Sequence, residues 1–202
     1  MSQQVVIIDY GAGNIQSVQF ALERLGVKAQ LTSDATQIAK ADKVIFPGVG
    51  HATPALKALQ EKGLDTLIPT LTQPVLGICL GMQLMCNYLE ENNANGLGIF
   101  SVDVRKFLAT QKVPHMGWNK IDNAQGALFK EAPSDAYLYF VHSYFANIGE
   151  STIAETNYGI PFSAALQKAN FYGCQFHPEK SGDAGEQILR NFLTINLITI
   201  NH

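Results

Sequence analysis

The feature that most constrains this chain is the alternation of short β-branched runs with amphipathic helical patterns in its first half. A buried run of four or five apolar residues favours a strand, and apolar residues spaced three and four apart favour a helix. Strands that alternate with helices pair in parallel through right-handed crossovers. The predicted elements are, in order, strand Val5–Asp9, helix Ile15–Leu25, strand Lys43–Phe46, helix Thr53–Gln60, strand Val75–Ile78 and helix Met82–Glu90.

The second half has a different pattern. From Ser101 to His177, aromatic and β-branched residues recur at near-alternating positions, most clearly in Tyr137–Val141 and Phe171–Phe176, which predicts extended and hairpin segments. A helix is predicted at Gly185–Leu197. With no linker or internal repeat, residues 1–202 are expected to form one α/β domain. It would contain a central, mostly parallel sheet flanked by helices, with additional antiparallel strands in the second half.

Charge and hydropathy exclude several classes of partner. The 14 Lys and Arg residues are scattered and the net charge is -3, so no nucleic-acid surface is expected. No apolar run approaches the roughly 18 residues of a membrane span, and the N-terminus does not resemble a secretion signal. The three cysteines lie in no CxxC or metal-like cluster, which indicates a reducing cytoplasm and no metal site.

The turn after the first strand has some likeness to a dinucleotide-binding fingerprint. Gly11 and Gly13 are present, but Gln16 stands where the third glycine is required for close helix packing. No phosphate-binding loop with Gly, Lys and Ser or Thr occurs elsewhere. We therefore expect a tight turn here and no cofactor.

A nucleophile elbow is predicted at residues 77–81, which read Gly-Ile-Cys-Leu-Gly. The string follows a buried strand and precedes a helix, as in hydrolases that carry serine at the central position. Cys79 would stand above the carboxyl edge of the sheet, and the N-terminus of the Met82 helix would favour its thiolate. The alternative is a buried core cysteine. Cys86 and Cys174 have the surroundings of core residues.

A cysteine that attacks an amide needs a histidine to hold the ion pair and to protonate the leaving group. Of the five histidines, His177 ends a strand and is followed by Pro178 and Glu179. In extended geometry residues i and i+2 point the same way, so Glu179 would orient the imidazole. Taken alone, His-Pro-Glu at a strand end is more often a plain turn.

Three motifs together resemble the class I (triad) glutamine amidotransferases: PGVG at 47–50, GICLGMQ at 77–83 and FHPEKS at 176–181. They occur in the family's order and span essentially the whole chain. The resemblance implies a catalytic triad and an oxyanion hole that uses the amide of Leu80 and the backbone of Val49 or Gly50. It also implies a glutamine pocket. The implied triad is Cys79, His177 and Glu179, and the implied pocket residues are Gln83, His142, Ser143 and Tyr144.

Further strings resemble one branch of this family, the glutaminase subunits of imidazole glycerol phosphate synthases. These are DYGAGN at 9–14, PHMGWN at 114–119 and Tyr144-Phe145, while His51-Ala52-Thr53 departs from many relatives. The resemblance implies that L-glutamine yields glutamate and ammonia. The ammonia would pass to a (β/α)8 cyclase, in a heterodimer that forms imidazole glycerol phosphate and AICAR in histidine biosynthesis. The implied contacts with this partner are Asn14, Met116, Trp118 and Asn119.

Other functions stay open on the sequence alone. A paralogous subunit could supply ammonia for surface-polysaccharide or nonulosonate sugars, and other glutaminases serve anthranilate, guanine-nucleotide or pyridoxal phosphate synthesis. A cysteine peptidase-like α/β protein would share the elbow but not His-Pro-Glu. Trp118 could be a core residue instead of an interface residue. The run at 90–93, Glu-Glu-Asn-Asn, is interpreted as a solvated helix end.

Overall fold

Strands and short helices alternate through the first half of the chain, as its hydrophobic pattern predicts. The computed structural model describes residues 3–11, 14–132 and 136–196. The strands in these ranges are β1 (Val5–Ile8), β2 (Gln30–Thr32), β3 (Lys43–Gly48), β4 (Val75–Cys79), β5 (Cys86–Leu89), β6 (Ala94–Asn95), β7 (Phe100–Lys106), β8 (His115–Lys120), β9 (Tyr137–His142), β10 (Tyr144–Ala146), β11 (Thr152–Asn157), β12 (Pro161–Lys168) and β13 (Phe171–Cys174). The helices there are α1 (Ile15–Arg24), α2 (Ala35–Lys40), α3 (Ala52–Glu61), α4 (Leu64–Leu67), α5 (Leu80–Leu84) and α6 (Gly182–Thr194).

A seven-stranded sheet forms the centre of the described part of the molecule, in the order β11-β12-β13-β4-β3-β1-β2. The strands from β13 to β2 in this order pair in parallel, whereas β11 and β12 add an antiparallel edge. The described residues also form a four-stranded sheet, β10-β7-β5-β6, and the hairpin pair β8-β9. The expected α/β class, with a mostly parallel sheet and later antiparallel strands, is confirmed.

The two faces of the central sheet are covered by different helices. Alternate residues of each strand point to opposite faces, so Ile7 packs with Leu22 of α1 and Phe192 of α6, while Ile8 packs with Leu59 of α3 on the other side. The inner strands β1, β3 and β4 are buried on both faces, which explains their nearly continuous apolar sequences. Within the described ranges, none of the helices combines the length and apolar character needed to cross a membrane.

One predicted element is wrong. The helix expected at Met82–Glu90 is the short α5, which ends at Leu84 and is followed by strand β5. The chain turns because β5 pairs with β7 and β6, and these ladder hydrogen bonds override the local helical pattern. Cys86 therefore begins a strand.

Smaller differences concern element boundaries. Helix α6 begins at Gly182, three residues before the predicted start, and its cap residue Ile195 is extended. Leu197, the predicted end of this helix, lies outside the described residues, as do Ala12 and Gly13 of the predicted turn. The sequence interpretation also left out β2 and α2.

The parallel strands bring distant segments of the chain to one edge of the sheet. Strands β1, β3, β4 and β13 all end at this edge, followed by Asp9, Val49, Leu80 and Gln175. In open α/β sheets, ligands bind in the crevice outside the carboxyl ends of the strands. The predicted functional residues thus meet there because of the topology.

Candidate active site

Cys79 has a strained backbone at the junction of β4 and α5. Its φ of 53° and ψ of -110° lie outside the helical and extended regions, although it is not a glycine. Such outliers cost about 1–3 kcal/mol and cluster at functional sites. The sharp turn predicted for the elbow is present.

Glycines around Cys79 allow the elbow to pack directly against strand β3. A Cβ on Gly81 would overlap the carbonyl oxygen of Phe46, and one on Gly48 would lie 2.8 Å from the Gly81 nitrogen. A Cβ on Gly77 would lie 2.8 Å from the Met82 nitrogen. Backbone meets backbone at these three points, so any side chain there would push the nucleophile out of place.

The Cys79 sulfur is held by groups from two other segments. The Gln175 side-chain amide donates to it at 3.6 Å, and the sulfur itself lies 3.8 Å from the Val141 carbonyl oxygen. Gln83 fixes Gln175, because its Nε2 donates to Gln175 Oε1 at 2.8 Å and to the Tyr144 carbonyl at 2.8 Å. The predicted pocket residue Gln83 therefore has both amide hydrogens engaged within the protein.

His177 and Glu179 form a buried pair beyond the end of β13. His177 Nδ1 lies 2.7 Å from Glu179 Oε1, and both side chains are almost fully buried. The connection is a 3₁₀ turn at Pro178–Lys180, so the extended geometry assumed for these residues is wrong. A 3₁₀ turn folds residue i+2 back toward residue i, which brings the carboxylate to the imidazole by a different route. Ser181 Oγ donates to the His177 carbonyl at 2.6 Å and secures the turn.

The charge environment of His177 favours its protonated form. Burial by itself lowers the pKa of His177, but the adjacent Cys79 and the Glu179 carboxylate outweigh it and raise the pKa to about 10. An imidazolium next to a cysteine is the arrangement that stabilises a thiolate. The three predicted triad residues are therefore together, in surroundings that suit an ion pair.

A cavity of about 300 Å³ opens above Cys79. Its lining includes the predicted oxyanion residues Leu80, Val49 and Gly50. Leu80 is the first residue of α5, where the backbone N–H has no partner within the helix. The other lining residues are His51, Cys79, Gln83, Glu91, Pro114, Val141, His142, Ser143 and Tyr144.

The predicted substrate residues His142, Ser143 and Tyr144 lie in the cavity wall, but His142 has no free ring nitrogen. Its Nδ1 lies 2.7 Å from the Tyr144 carbonyl oxygen, and its Nε2 lies 3.1 Å from His115 Nδ1. His142 is thus a wall residue with both ring nitrogens engaged inside the protein.

The sequence interpretation missed Glu91. It is buried in the cavity wall, where Oε1 lies 2.7 Å from His51 Nδ1 and Oε2 accepts the Ala52 N–H at 2.8 Å. The solvated helix end expected at 90–93 is therefore wrong. Asn92 and Asn93 both have positive φ, 60° and 50°, and two adjacent asparagines are a signal for such a turn.

The remaining cysteines have core positions. Cys86 and Cys174 are fully buried, and burial raises the pKa of each thiol. Helix α5 has only five residues, so the long helix dipole expected to stabilise a thiolate at Cys79 is replaced by a short turn. His177, in its protonated form, places a positive charge next to Cys79.

The predicted partner-contact residues of β8 have side chains on opposite faces of the strand, because successive residues of a strand alternate. Met116 and Trp118 are 62% and 55% exposed, which contradicts a core position for Trp118. Asn119 points inward, with Nδ2 3.3 Å from His115 Nε2 and 3.0 Å from the Asn157 carbonyl oxygen. Asn14 caps α1 through its backbone at the carboxyl edge of the sheet.

Across the described ranges, no three His, Cys, Asp or Glu side chains group as metal ligands.

Comparison with known proteins agrees with this geometry. The family model for class I glutamine amidotransferases matches residues 6–196. Imidazole glycerol phosphate synthase subunit HisH of Bacteroides fragilis strain YCH46 is 56% identical over 95% of this chain and 100% of its own length. The protein of the same name from Pasteurella multocida strain Pm70 is 49% identical over 95% and 98%.

Solved structures support the fold. PurLQS from Thermotoga maritima has a TM-score of 0.76 at 16% identity, covering 96% of this chain and 98% of its own. A glutamine amidotransferase from the same organism has a TM-score of 0.63 at 16% identity, covering 100% of both chains. The chain belongs to the class I glutamine amidotransferase family.

Proposed function

We propose that this chain is the glutaminase subunit of an imidazole glycerol phosphate synthase. It hydrolyses L-glutamine to glutamate and ammonia, and it passes the ammonia to a cyclase subunit that makes imidazole glycerol phosphate and AICAR in histidine biosynthesis. The observation that carries the proposal is the buried His177–Glu179 pair next to Cys79, which itself lines a cavity of about 300 Å³. Relatives named HisH are 49–56% identical to this chain over nearly their whole length, which supports the choice of pathway.

In the first half of the reaction, the Cys79 thiolate attacks the carboxamide carbon of glutamine. The negative charge moves to the carbonyl oxygen, where the Leu80 amide and the backbone of Val49 or Gly50 would stabilise it. Each donor of this kind contributes on the order of 10²–10³-fold to the rate. The C–N bond then breaks, and the nitrogen leaves as ammonia with the proton of the His177 imidazolium.

In the second half, a water molecule hydrolyses the glutamyl thioester. Neutral His177 takes a proton from the water as it attacks the thioester carbon, and the C–S bond breaks to release glutamate. Glu179 keeps the proton of His177 on Nδ1 and so leaves Nε2 to exchange protons with the reacting groups. The raised pKa of His177, about 10, suits the resting ion pair.

The cavity wall suits an amino acid substrate. Glu91 is the carboxylate in the wall, and its charge is complementary to the α-ammonium group of glutamine. Ser143 and Tyr144 add polar groups to the same lining. We infer that the amino acid end of glutamine lies toward Glu91, with the carboxamide over Cys79.

The partner is inferred to be a (β/α)8 cyclase, bound as a heterodimer near β8. Met116 and Trp118 expose large apolar side chains on one face of this strand. Exposed aromatic and Met side chains of this kind are enriched at interfaces. We further propose a single amidotransferase domain over the whole chain, in the cytoplasm, where its three free cysteines would stay reduced.

The test is reconstitution of the whole synthase. The chain and a histidine-pathway cyclase are purified together, and glutamine-dependent formation of imidazole glycerol phosphate is measured against glutamate released. The proposal predicts complex formation and near-equal amounts of both products. Glutamine hydrolysis without any coupling to this cyclase would refute the assigned pathway while leaving the glutaminase activity standing.

A further inference from the structure

A line of hydrogen bonds outside the triad connects strand β8 to the nucleophile. It begins at Asn119, whose Nδ2 lies 3.3 Å from His115 Nε2. His115 Nδ1 lies 3.1 Å from His142 Nε2. His142 Nδ1 then lies 2.7 Å from the Tyr144 carbonyl oxygen.

The Tyr144 carbonyl joins this line to the groups that hold the sulfur. It also accepts a hydrogen bond from Gln83 Nε2 at 2.8 Å. Gln83 donates its second amide hydrogen to Gln175, whose own amide donates to Cys79 Sγ at 3.6 Å. A displacement of the Tyr144 carbonyl would therefore move Gln83 and Gln175 relative to the Cys79 sulfur.

The direction of every bond is fixed from both ends. At the outer end, Asn119 Oδ1 accepts the Lys120 N–H, so Nδ2 must donate and His115 Nε2 must accept. At the inner end a carbonyl can only accept, so His142 Nδ1 must donate. Both requirements leave His115 Nδ1 as donor and His142 Nε2 as acceptor. The two ends of the line therefore require the same tautomer in both rings, an uncharged imidazole that carries its hydrogen on Nδ1.

The surroundings keep the two rings uncharged and in place. The His115 ring stacks between Phe140, at 5.1 Å between centroids, and Tyr158, at 4.1 Å. Burial lowers the pKa of His115 to about 4 and that of His142 to about 3. His177 also faces His142 and disfavours a second positive charge there.

We propose that the His115–His142 pair positions the Cys79 nucleophile by transmitting the position of strand β8 to the hydrogen bonds that hold the sulfur. Both are positioning residues, since their nitrogens contact protein groups and not the reacting atoms. This inference rests on the proposed function, because Asn119, at the outer end of the line, follows Trp118 in strand β8, and the opposite face of this strand is proposed to meet the cyclase. A partner that shifts β8 would alter the bonds that hold the sulfur.

The test uses Asn119→Asp in the full chain without a partner. The substitution keeps the shape of the side chain but removes its donors. A carboxylate at position 119 accepts a hydrogen bond, so the hydrogen of the uncharged His115 ring moves to Nε2. His115 Nδ1 then becomes an acceptor, and it faces His142 Nε2, which is also an acceptor. Asn157→Asp is the matched control, because it adds the same charge on an exposed neighbouring side chain outside the line.

Two further variants separate positioning from stability. His115→Phe keeps the stacked ring but has no nitrogens, whereas Phe107→Leu loosens the same aromatic cluster without cutting the line. The readout is the rate constant for alkylation of Cys79 by a glutamine-mimicking diazoketone across pH, measured below the Tm of every variant. This step does not require turnover or a partner.

We expect alkylation about tenfold slower in Asn119→Asp and His115→Phe, the effect of one lost buried hydrogen bond. Asn157→Asp and Phe107→Leu should react at the parent rate, although Phe107→Leu lowers the Tm. Equal alkylation rates in the parent and Asn119→Asp would overturn this inference and leave the proposed function standing. The same holds if the loss of rate simply follows the loss of Tm in all variants. A parent chain that is not alkylated at Cys79 would refute the proposed function as well.

Discussion

Glu91 and His51 form a hydrogen-bonded pair at the mouth of the cavity, with Oε1 and Nδ1 2.7 Å apart. The second carboxylate oxygen of Glu91 accepts the Ala52 N–H at 2.8 Å, so one side chain secures both residues that follow Val49–Gly50. The loop proposed to stabilise the oxyanion is therefore anchored by a residue 40 positions along the chain.

Glu91→Gln should weaken glutamine binding. An amide retains the shape and an acceptor for Ala52, but it loses the charge that faces His51 and the proposed ammonium site. The difference between a charged and a neutral hydrogen bond corresponds to about a tenfold rise in KM. Steady-state kinetics of glutamine hydrolysis in the cyclase complex measure it. Glu90→Gln, an exposed neighbour, is the control, and an unchanged KM in Glu91→Gln would exclude a role in binding.

A glutamine-mimicking diazoketone should label Cys79 and spare Cys86 and Cys174. The latter two are fully buried with raised thiol pKa values, whereas Cys79 lines the cavity beside His177. Peptide mapping by mass spectrometry after partial labelling identifies the modified residue. Label found mainly on Cys86 or Cys174 would disprove the nucleophile assignment.

His177→Ala should reduce glutamine hydrolysis on the order of 10²–10⁴-fold, because it removes both the cation beside the thiolate and the proton donor. Glu179→Gln should be milder, since the amide oxygen can still accept from His177 Nδ1. The ratio of kcat values for the two variants, with ammonia-dependent synthesis as the control for folding, checks the order. Near-native turnover in His177→Ala would refute its role as base.

Much of the site was predictable because local sequence encodes it. Gly77 and Gly81 around Cys79 indicate a turn that leaves no room for side chains, and the apolar strands indicate a buried parallel sheet. The resemblance carried by the three motifs paired His177 with Cys79, and the parallel pairing of β13 with β4 is what brings the two residues together.

The parts that were missed depend on contacts between distant segments. Strand β5 has the pattern of a continuing helix, and only its ladder of hydrogen bonds with β7 and β6 makes it a strand. Glu91 appears solvated in the sequence, because only the folded chain places His51 and Ala52 next to it. The Glu179 contact forms through a 3₁₀ turn and not through the extended geometry that the sequence predicts.

Trp118→Ala should impair coupling more than glutamine hydrolysis. The side chain is 55% exposed, so its loss should change stability by only about 0.5 kcal/mol or less. A buried aromatic anchor at an interface contributes about 2 kcal/mol or more to binding. The expected result is weaker cyclase binding and ammonia released to solvent. Ile148→Ala, another exposed apolar side chain, is the control. Normal coupling with a lowered Tm would make Trp118 a structural residue.

The most direct test of the account replaces Cys79 by Ser and supplies two nitrogen sources to the reconstituted synthase. Because this chain is proposed to produce ammonia and the partner to consume it, glutamine-dependent formation of imidazole glycerol phosphate should be lost. Formation from ammonium salts should persist at the parent rate. Glutamine-dependent synthesis that survives in Cys79→Ser, or loss of synthesis from ammonium as well, would contradict it.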